Sequence, residues 1–194
     1  LNLTVDSYNP EKAKELLKEA GYEDTDGDGI LDKNGVNLSF KILTYSYNNN
    51  CIQLADMLQA ELSQIGIDLS IETMDVLDDS LAAGDYDIAI LNYAMAPIGT
   101  PSYFINMLFT TGASNNYGGY SNDKVDALAA EIGVTADTEK VDSLTKELSQ
   151  QVLDDNAFAF VADQQLIFVY SNKVKGVQIN PTEYYLVTNT LKVD

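Results

Sequence analysis

The spacing of apolar residues predicts alternating helices and strands over the first half of the chain. Apolar and polar positions alternate over 38–44 and 67–71, as in half-buried strands, and a continuous apolar run predicts a third strand over 86–91. Helical periodicity fills both intervals, over 51–65 and over 75–83. The order strand, helix, strand, helix, strand predicts an α/β fold with a mixed, mostly parallel sheet flanked by helices.

A capped helix is predicted before the first strand. Asn9 is a good N-cap, Pro10 suits the first helical position, and Gly21 suits the left-handed conformation that ends a helix. The second half of the chain predicts three helices, over 102–109 with Ser102 as its cap, 123–132 and 138–153. Strands are predicted over 158–161 and 166–170, and the alternation in the tail, 174–193, predicts one or two further strands. No linker or repeat interrupts this order, so one domain over residues 1–194 is the simplest prediction.

The stretch GDYDIAILNYAMAPIGTPSYF, residues 84–104, leaves the third predicted strand through aromatic, amide, Gly and Pro residues. It carries too little charge for a solvated loop and too much Gly and Pro for a core element. In an open parallel sheet, ligands meet the loops beyond the carboxyl ends of the strands. We therefore predict a binding surface at this exit.

Aromatic and amide residues are dense from this exit onward. Five rings and four amides lie close together in sequence: Tyr93, Tyr103, Phe104, Tyr117, Tyr120, Asn92, Asn106, Asn115 and Asn116. Ring faces and amides suit a ligand with both polar and apolar parts. The alternative is that about half of the tyrosine rings pack in the core with their hydroxyls satisfied.

An acidic turn follows the first helix. Asp24, Asp26 and Asp28 occupy the first, third and fifth positions of a calcium-loop pattern, and Asp32 occupies the ninth. The twelfth position is Gly35 instead of the bidentate Glu. Two interpretations stay open: a structural calcium site, which would relieve repulsion among the carboxylates, or an exposed turn rich in Asp and Gly.

Composition excludes several functions. The chain of 194 residues has a net charge of −19, its basic residues are all Lys, and it has no His. Such a surface repels phosphate backbones, so no nucleic-acid partner is expected. Without His, neither a Ser-His-Asp triad nor the commonest zinc ligand is available, and the carboxylates suit solvated faces, so the chain is predicted not to be an enzyme. Cys51 is the single cysteine, predicted as a half-buried hydrophobe with a reactive thiol as the alternative.

Four segments, in this order, cover nearly the whole chain and carry a resemblance to a known family. They are YNPEKAKELLKEAGYEDTDGDGILDKNG with LSFKILTY; ELSQIGIDLSIETMD; AAGDYDIAILNYAMAPIGTPSYFINMLFTTGASNNYGGYSNDKVDALAAE; and LTKELSQQVLDDNAFAFVADQQLIFVYSNKVKGVQINPTEYY. The chain resembles the C-terminal lobe of the ABC-importer solute-binding proteins of the oligopeptide, dipeptide and nickel-binding family, family 5. The motifs AAEIG and DDNAFAFVAD lean toward the nickel-type branch.

This resemblance implies a type II periplasmic-binding-protein-like lobe, a C-terminal domain fragment of a longer two-lobed protein. It implies an extracytoplasmic protein, either a cell-surface lipoprotein or periplasmic. Its implied partners are a small peptide or metal-chelate ligand, the N-terminal lobe of the same protein and the ABC permease subunits in the membrane. It also implies the ligand-binding residues, namely Asn92, Tyr93, Met95, Thr100, Tyr103, Phe104, Tyr117 and Tyr120.

Two other classes of function are alternatives to solute binding. A calcium-stabilised surface or adhesion module would use Asp24, Asp26, Asp28 and Asp32 as ligands. A carboxylate-based hydrolase would need two buried acids facing one another in a cleft. The neutral, aromatic exit from the third strand favours a binding cleft over both. No cofactor is expected beyond the calcium that the acidic turn could hold.

Overall fold

A computed structural model describes residues 2–93, 100–162, 167–178 and 187–194. The chain forms two compact units. The first unit is residues 6–93, and the second unit is residues 1–5 together with 94–194. The sequence predicts that residues 1–194 form one lobe of a longer protein. The division into two compact units does not test this, so it stays a prediction.

The first unit is built on a three-stranded parallel sheet. Its strands are β3 (Ser39–Tyr45), β4 (Asp68–Met74) and β5 (Ile88–Ala89), in the order β4-β3-β5. Ile42 on β3 lies in register with Ile71 on β4 and Ile88 on β5. Helices α2 (Asn49–Ser63) and α3 (Asp78–Ala83) make the crossovers between the strands. This confirms the predicted strand and helix order and the α/β class with a parallel sheet.

The core of the first unit lies between the sheet and α2. Ile42, Ala55 and Leu69 are its fully buried centre. Half-buried apolar residues surround them, namely Phe40, Leu58, Leu62, Ile71, Ile88 and Ile90. Burial of a side chain such as Ile42 stabilises the fold by roughly 1.5 to 3 kcal/mol. This core holds α2 against the sheet, and the chain leaves β5 at the carboxyl end of that sheet.

Before the sheet lie one helix and one hairpin. Helix α1 (Pro10–Glu19) begins as predicted, because the Asn9 side chain accepts a 3.0 Å hydrogen bond from the backbone N–H of Lys12. Strands β1 (Asp32–Lys33) and β2 (Val36–Asn37) form an antiparallel hairpin. Both turn residues, Asn34 and Gly35, have positive φ, which is the requirement of the tight hairpin turn that Asn-Gly favours.

The second unit is mainly helical. It contains α4 (Pro101–Leu108), α5 (Asp123–Val134), α6 (Thr138–Asp154) and a short antiparallel pair, β6 (Val174–Lys175) with β7 (Lys192–Val193). Helix α5 packs on α4 and α6. The buried residues at these contacts are Ile105, Leu108, Val125, Leu128, Ala129, Ile132, Leu148 and Val152. The Gln150 side chain also ties residue 4 to α6, since its amide exchanges two hydrogen bonds with the Thr4 backbone.

Two predictions for the second unit are wrong. Thr100, not Ser102, caps α4, because its hydroxyl accepts from the Ser102 N–H and Pro101 then takes the first helical turn. Residues 158–161 and 167–170 are not in strands, because they pair with no strand among the described residues. The predicted turn at Asp163-Gln164 lies outside the described residues. In the described ranges, no helix has both the length and the apolar character needed to cross a membrane.

Candidate functional site

Helix α4 presents two faces of different chemistry. Phe104, Ile105 and Leu108 are buried, whereas Tyr103 is 42 % exposed. The ring of Phe104 packs edge-on against Phe109, 5.4 Å away. A helix turns about 100° per residue, so Tyr103 and Phe104 point in different directions from the axis of α4. Phe104, a predicted ligand-binding residue, therefore packs in the core of the second unit, and Tyr103 faces outward.

The exposed face of α4 forms one wall of a groove. The groove has a volume of about 460 Å³ and is lined by Ser102, Tyr103, Asn106, Met107, Ser114 and Asn115. Asn115 is fixed against the helix, because its backbone N–H donates a 3.1 Å hydrogen bond to the Met107 carbonyl. We name this feature the α4 groove. The described residues that line it are all uncharged, and together they offer hydroxyls, amides, a phenol and a thioether.

The sequence predicts Tyr103 as a ligand-binding residue and includes Asn106 and Asn115 among the amides suited to a ligand, but it does not indicate Ser102, Met107 or Ser114. The spacing of Tyr103, Asn106 and Met107 (i, i+3, i+4) was the available signal, because these positions share a helix face. The preceding residue, Thr100, is exposed and is engaged as the α4 cap. Its predicted role as a ligand contact stays a prediction.

The loop after α4 is closed by one side chain. The Asn116 amide nitrogen donates to the Thr110 and Tyr120 carbonyls, at 3.0 and 2.7 Å, and its oxygen accepts from the Tyr120 N–H at 3.0 Å. Tyr117, on the same loop, is half-buried. The sequence motif NNYGG is thus held as a defined loop by Asn116, whose amide satisfies both ends of the loop.

Tyr120, another predicted ligand-binding residue, is engaged in a hydrogen-bond network. Its hydroxyl donates a 2.6 Å hydrogen bond to the Asp155 carboxylate, which also accepts from the side chains of Asn122 and Gln151. The Tyr120 hydrogen bond is the main cause that lowers the pKa of Asp155. Burial, and then the bond to Asp155, raises the pKa of Tyr120. This geometry indicates that Tyr120 joins the loop to the end of α6.

The exit from β5 lies in the first unit. Asn92 is exposed and Tyr93 is half-buried. Burial, followed by the nearby phenols of Tyr93 and Tyr47, raises the pKa of Tyr45 to about 12. The rings of Tyr45 and Tyr47 lie with their centroids 5.3 Å apart at the carboxyl end of β3. Met95 lies outside the described residues, so its predicted role stays a prediction.

The acidic turn gathers three of its four predicted ligands. Carboxylate oxygens of Asp24, Asp26 and Asp28 lie within 4.8 Å of one another, and all three residues are exposed. Two oxygens on opposite sides of a calcium ion are about 5 Å apart, so this spacing fits calcium. The same carboxylates accept hydrogen bonds within the turn, including those from the backbone N–H groups of Gly27 and Gly29 to Asp24. An exposed turn without an ion is also compatible with this arrangement.

Asp32 has a different environment from the other three aspartates. It is buried, and one of its oxygens accepts hydrogen bonds from the Thr25 N–H at 2.8 Å and the Thr25 hydroxyl at 2.7 Å. The hydroxyl bond is the main cause that lowers the pKa of Asp32. Asp32 therefore stabilises the turn through its hydrogen bonds to Thr25, and it is not part of the carboxylate cluster.

Comparison with known proteins gives one family match. A family model described as "Bacterial extracellular solute-binding proteins, family 5 Middle" matches residues 2–116. Among curated proteins, the chain is 26 % identical over 178 residues to the oligopeptide-binding protein AppA of Bacillus subtilis, covering 90 % of the chain and 33 % of AppA. It is 24 % identical over 180 residues to the nickel-binding protein NikA of Staphylococcus aureus, covering 92 % of the chain and 35 % of NikA.

Solved structures give the same result for the fold. The structure of S. aureus NikA with Ni(L-His)2 has a TM-score of 0.77 at 21 % identity and covers 98 % of the chain and 39 % of NikA. The structure of B. subtilis AppA with a nonapeptide has a TM-score of 0.69 at 26 % identity and covers 80 % of the chain and 32 % of AppA. The chain thus has the fold of type II periplasmic-binding-like proteins and spans about a third of the length of the curated relatives it matches.

Proposed function

The chain belongs to the bacterial extracellular solute-binding proteins, family 5, and on that premise we propose that it is a portion of the solute-binding component of an ABC importer. In this proposal the longer protein lies outside the cytoplasm, as a periplasmic protein or a cell-surface lipoprotein. It captures a peptide or a nickel chelate between two lobes and delivers this ligand to the permease. No catalysis is proposed, since the matched family is described by binding alone.

The α4 groove is the observation that carries this proposal. Its exposed ring, hydroxyls and amides can contact both apolar and polar parts of a ligand, and they need no charge on that ligand. The chain has no Arg anywhere, so the bidentate clamp for a ligand carboxylate is missing from its 194 residues. We infer that this portion binds the uncharged parts of the ligand and that any anionic end is held by residues outside the chain.

A peptide fits this inference better than a metal chelate. A peptide presents main-chain amides, which the Asn and Ser groups of the groove can pair with, and side chains that a Tyr wall can cover. Nickel is usually ligated by imidazole, and the chain has no His. A nickel chelate that brings its own ligands is the second candidate, since the relatives include both oligopeptide-binding and nickel-binding proteins.

The proposed mechanism is closure around the ligand. A ligand that contacts both lobes stabilises the closed state, because only that state provides both sets of contacts. The 194 residues alone should then bind any such ligand weakly. A nanomolar affinity of the 194-residue chain alone for a peptide or nickel chelate would contradict this mechanism.

Native mass spectrometry of the longer protein, purified from its own source, tests the proposal. We expect a co-purified species whose mass matches a short peptide, and stripping it by partial unfolding should leave a protein that rebinds a peptide pool. A nickel isotope pattern on the bound species would select the second candidate instead. A protein that carries no solute, and that takes up neither a peptide pool nor nickel with histidine after stripping, would refute the proposal.

A calcium site is a second, separate proposal for the acidic turn. The mutual approach of the Asp24, Asp26 and Asp28 carboxylates within 4.8 Å favours it. Calcium would neutralise the carboxylates and hold the turn between α1 and β1 in one conformation. It would have no catalytic role. We propose it as a stabilising ion of the solute-binding protein, and its test is given in the Discussion.

A further inference from the structure

The tip of the β1–β2 hairpin is the pair Asn34-Gly35. Asn34 is the only asparagine of the chain that is followed by glycine. Both residues are exposed, and both have positive φ, 57° for Asn34 and 75° for Gly35. Within the described ranges the Asn34 amide has no hydrogen-bond partner, whereas the Asn37 amide on β2 donates to Asp28 at 3.0 Å. Of these two side-chain amides, only that of Asn34 is free to turn toward the backbone.

The hairpin is anchored at its base and not at its tip. Asp32 on β1 exchanges two backbone hydrogen bonds with Glu23, and the Lys33 ammonium donates to the Ala20 carbonyl at 2.7 Å. Each strand has only two residues, and both residues of β2 are exposed. A two-stranded hairpin this short opens readily, because few contacts oppose the opening. The tip can therefore leave its turn geometry while the base keeps its place.

An asparagine in this setting can react with its own backbone, which is one reason why Asn is among the thermolabile residues of proteins. The backbone nitrogen of Gly35 attacks Cγ of Asn34, its proton passes through water to the side-chain nitrogen, and the bond from Cγ to that nitrogen breaks. Ammonia leaves, and a five-membered succinimide ring remains. One water then opens the ring at either carbonyl, which gives aspartate or isoaspartate at position 34. Glycine hinders the attack least, because it has no Cβ beside the reacting nitrogen.

We propose that Asn34 is a modification site, which is deamidated by attack of the Gly35 nitrogen with water as the only co-reactant. Asn34 combines the three conditions of this reaction, namely a glycine neighbour, access to water and an amide that no hydrogen bond holds within the described ranges. The inference goes beyond solute binding. It depends on the hairpin alone, so it holds for whichever ligand the longer protein carries.

The chain contains an internal control for this proposal. Asn156 is the other non-glycine residue with positive φ among the described residues, at 51°, and it is exposed as Asn34 is. It is followed by Ala157, whose methyl group hinders access to the backbone nitrogen, and its amide donates to the Asp154 carbonyl at 3.5 Å. The two asparagines thus share backbone conformation and exposure. They differ in the residue that follows and in the hydrogen bond of the amide.

Isoaspartate should change the hairpin more than aspartate does. It carries the main chain through the former side chain and so adds a methylene carbon between Lys33 and Val36, which pair across the turn. A two-residue turn cannot keep this register with a longer backbone. Aspartate adds a charge but keeps the backbone, and it tolerates positive φ as asparagine does. The product that destabilises the hairpin is therefore isoaspartate.

Peptide mapping by mass spectrometry tests the proposal on the longer protein, incubated at pH 8 and sampled over days. The peptide with position 34 should gain the mass of an NH2-to-OH exchange at least about tenfold faster than the peptide with position 156. Gly35→Ala, whose Cβ would meet open space, should slow the reaction at Asn34 about tenfold, even though positive φ strains the alanine and loosens the turn. Equal rates at the two asparagines, an unchanged rate in Gly35→Ala, or no product at position 34 would each overturn the proposal.

A second measurement compares the two products. Ion exchange separates the deamidated protein by its added negative charge, and fragmentation of the peptide with position 34 identifies isoaspartate. The isoaspartate fraction should melt a few degrees below the unmodified protein, whereas Asn34→Asp, which has the charge without the longer backbone, should melt with it. Equal melting temperatures for the isoaspartate fraction and Asn34→Asp would overturn the inferred effect on the hairpin.

Discussion

The hydroxyl of Tyr120 donates a 2.6 Å hydrogen bond to the carboxylate of Asp155, which joins the loop after α4 to the end of α6 across 35 positions of sequence. Asp155 also accepts from Asn122, the N-cap of α5, and from Gln151 on α6. One carboxylate thus connects two helix ends and the loop that borders the α4 groove. The shape of that loop therefore depends on the ionisation of a residue that is not expected to contact the ligand.

Stability should depend on pH through Asp155. Its folded-state pKa is lowered, so its contribution is fully present above its ordinary pKa of about 3.9 and is lost as the pH falls through the folded-state value. Tyr120→Phe removes the main cause of this shift and should lower the melting temperature by a few degrees at pH 7. We expect the difference between Tyr120→Phe and the unmodified protein to be smaller at pH 2 than at pH 7, as measured by thermal unfolding.

The control for this prediction is Tyr8→Phe, because Tyr8 is 76 % exposed. It should leave the melting temperature unchanged at both pH values. If Tyr120→Phe matched Tyr8→Phe at pH 7, the hydrogen bond to Asp155 would have no part in stability.

Two glycines with similar backbones should differ in their tolerance of a side chain. Gly66 and Gly84 have φ of +80° and +71°, but a Cβ on Gly66 would lie 2.7 Å from Leu31 Cγ, whereas a Cβ on Gly84 would meet open space. Gly84→Ala should cost about 1 kcal/mol, from backbone conformation alone. Gly66→Ala should cost roughly 2 to 3 kcal/mol, because steric overlap adds to the same backbone cost. Urea unfolding of both variants measures the difference, and equal losses would show that Leu31 moves aside freely.

Calcium should bind weakly at the acidic turn. Three carboxylates are within reach of one ion, but the twelfth position lacks the bidentate Glu, so we expect a dissociation constant of roughly 0.1 to 1 mM, as in extracellular calcium modules. At ten times that concentration, the ion should stabilise the protein by about 1.4 kcal/mol. Calorimetry should give heat for the unmodified protein and for Asp142→Asn, whose aspartate is exposed on α6, but none for Asp26→Asn. Absence of heat at millimolar calcium for the unmodified protein would leave the turn as a hydrogen-bonded loop.

Tyr103 should contribute to ligand affinity. Among the described residues it is the one ring that lines the α4 groove, and an aromatic wall of this kind contributes roughly 1 to 1.5 kcal/mol, or about tenfold in the dissociation constant. Tyr103→Ala in the longer protein should weaken binding of the co-purified solute by that factor, measured by calorimetry. Tyr8→Ala, which removes another exposed ring, should not change the affinity. Equal affinities for the two variants would place the ligand away from the α4 groove.

Local chemistry explains which parts of the fold could be predicted. The start of α1 at Asn9-Pro10 and the turns at Gly21 and Gly84 depend on residues a few positions apart, so the sequence contains all the information needed. The parallel order of β3, β4 and β5 follows from helical crossovers between short apolar strands. The cap of α4 was misplaced by two residues because Ser102 and Thr100 are both good caps, and Pro101 between them decides the choice.

Side-chain direction explains what could not be predicted at the candidate site. Phe104 and Tyr103 are adjacent in sequence, yet only the packing of α4 against the rest of the second unit decides which of them is buried. Tyr120 is engaged by Asp155, a partner that no local pattern connects to it. The strand-like sequence of Ile167–Tyr170 could not be assigned correctly either, since a strand needs partners and none is present among the described residues.

The three hydrogen bonds of the Asn116 amide have a thermodynamic consequence for uptake. The conformational entropy of this loop is lost during folding, when the Asn116 hydrogen bonds form. The loop therefore loses little further entropy when a solute binds. If Asn116 were replaced by a residue that cannot make these hydrogen bonds, the loop would lose this conformational entropy on solute binding instead. In the proposed solute-binding role, a loop ordered in advance would therefore strengthen binding, because less conformational entropy is lost when the solute is recognised.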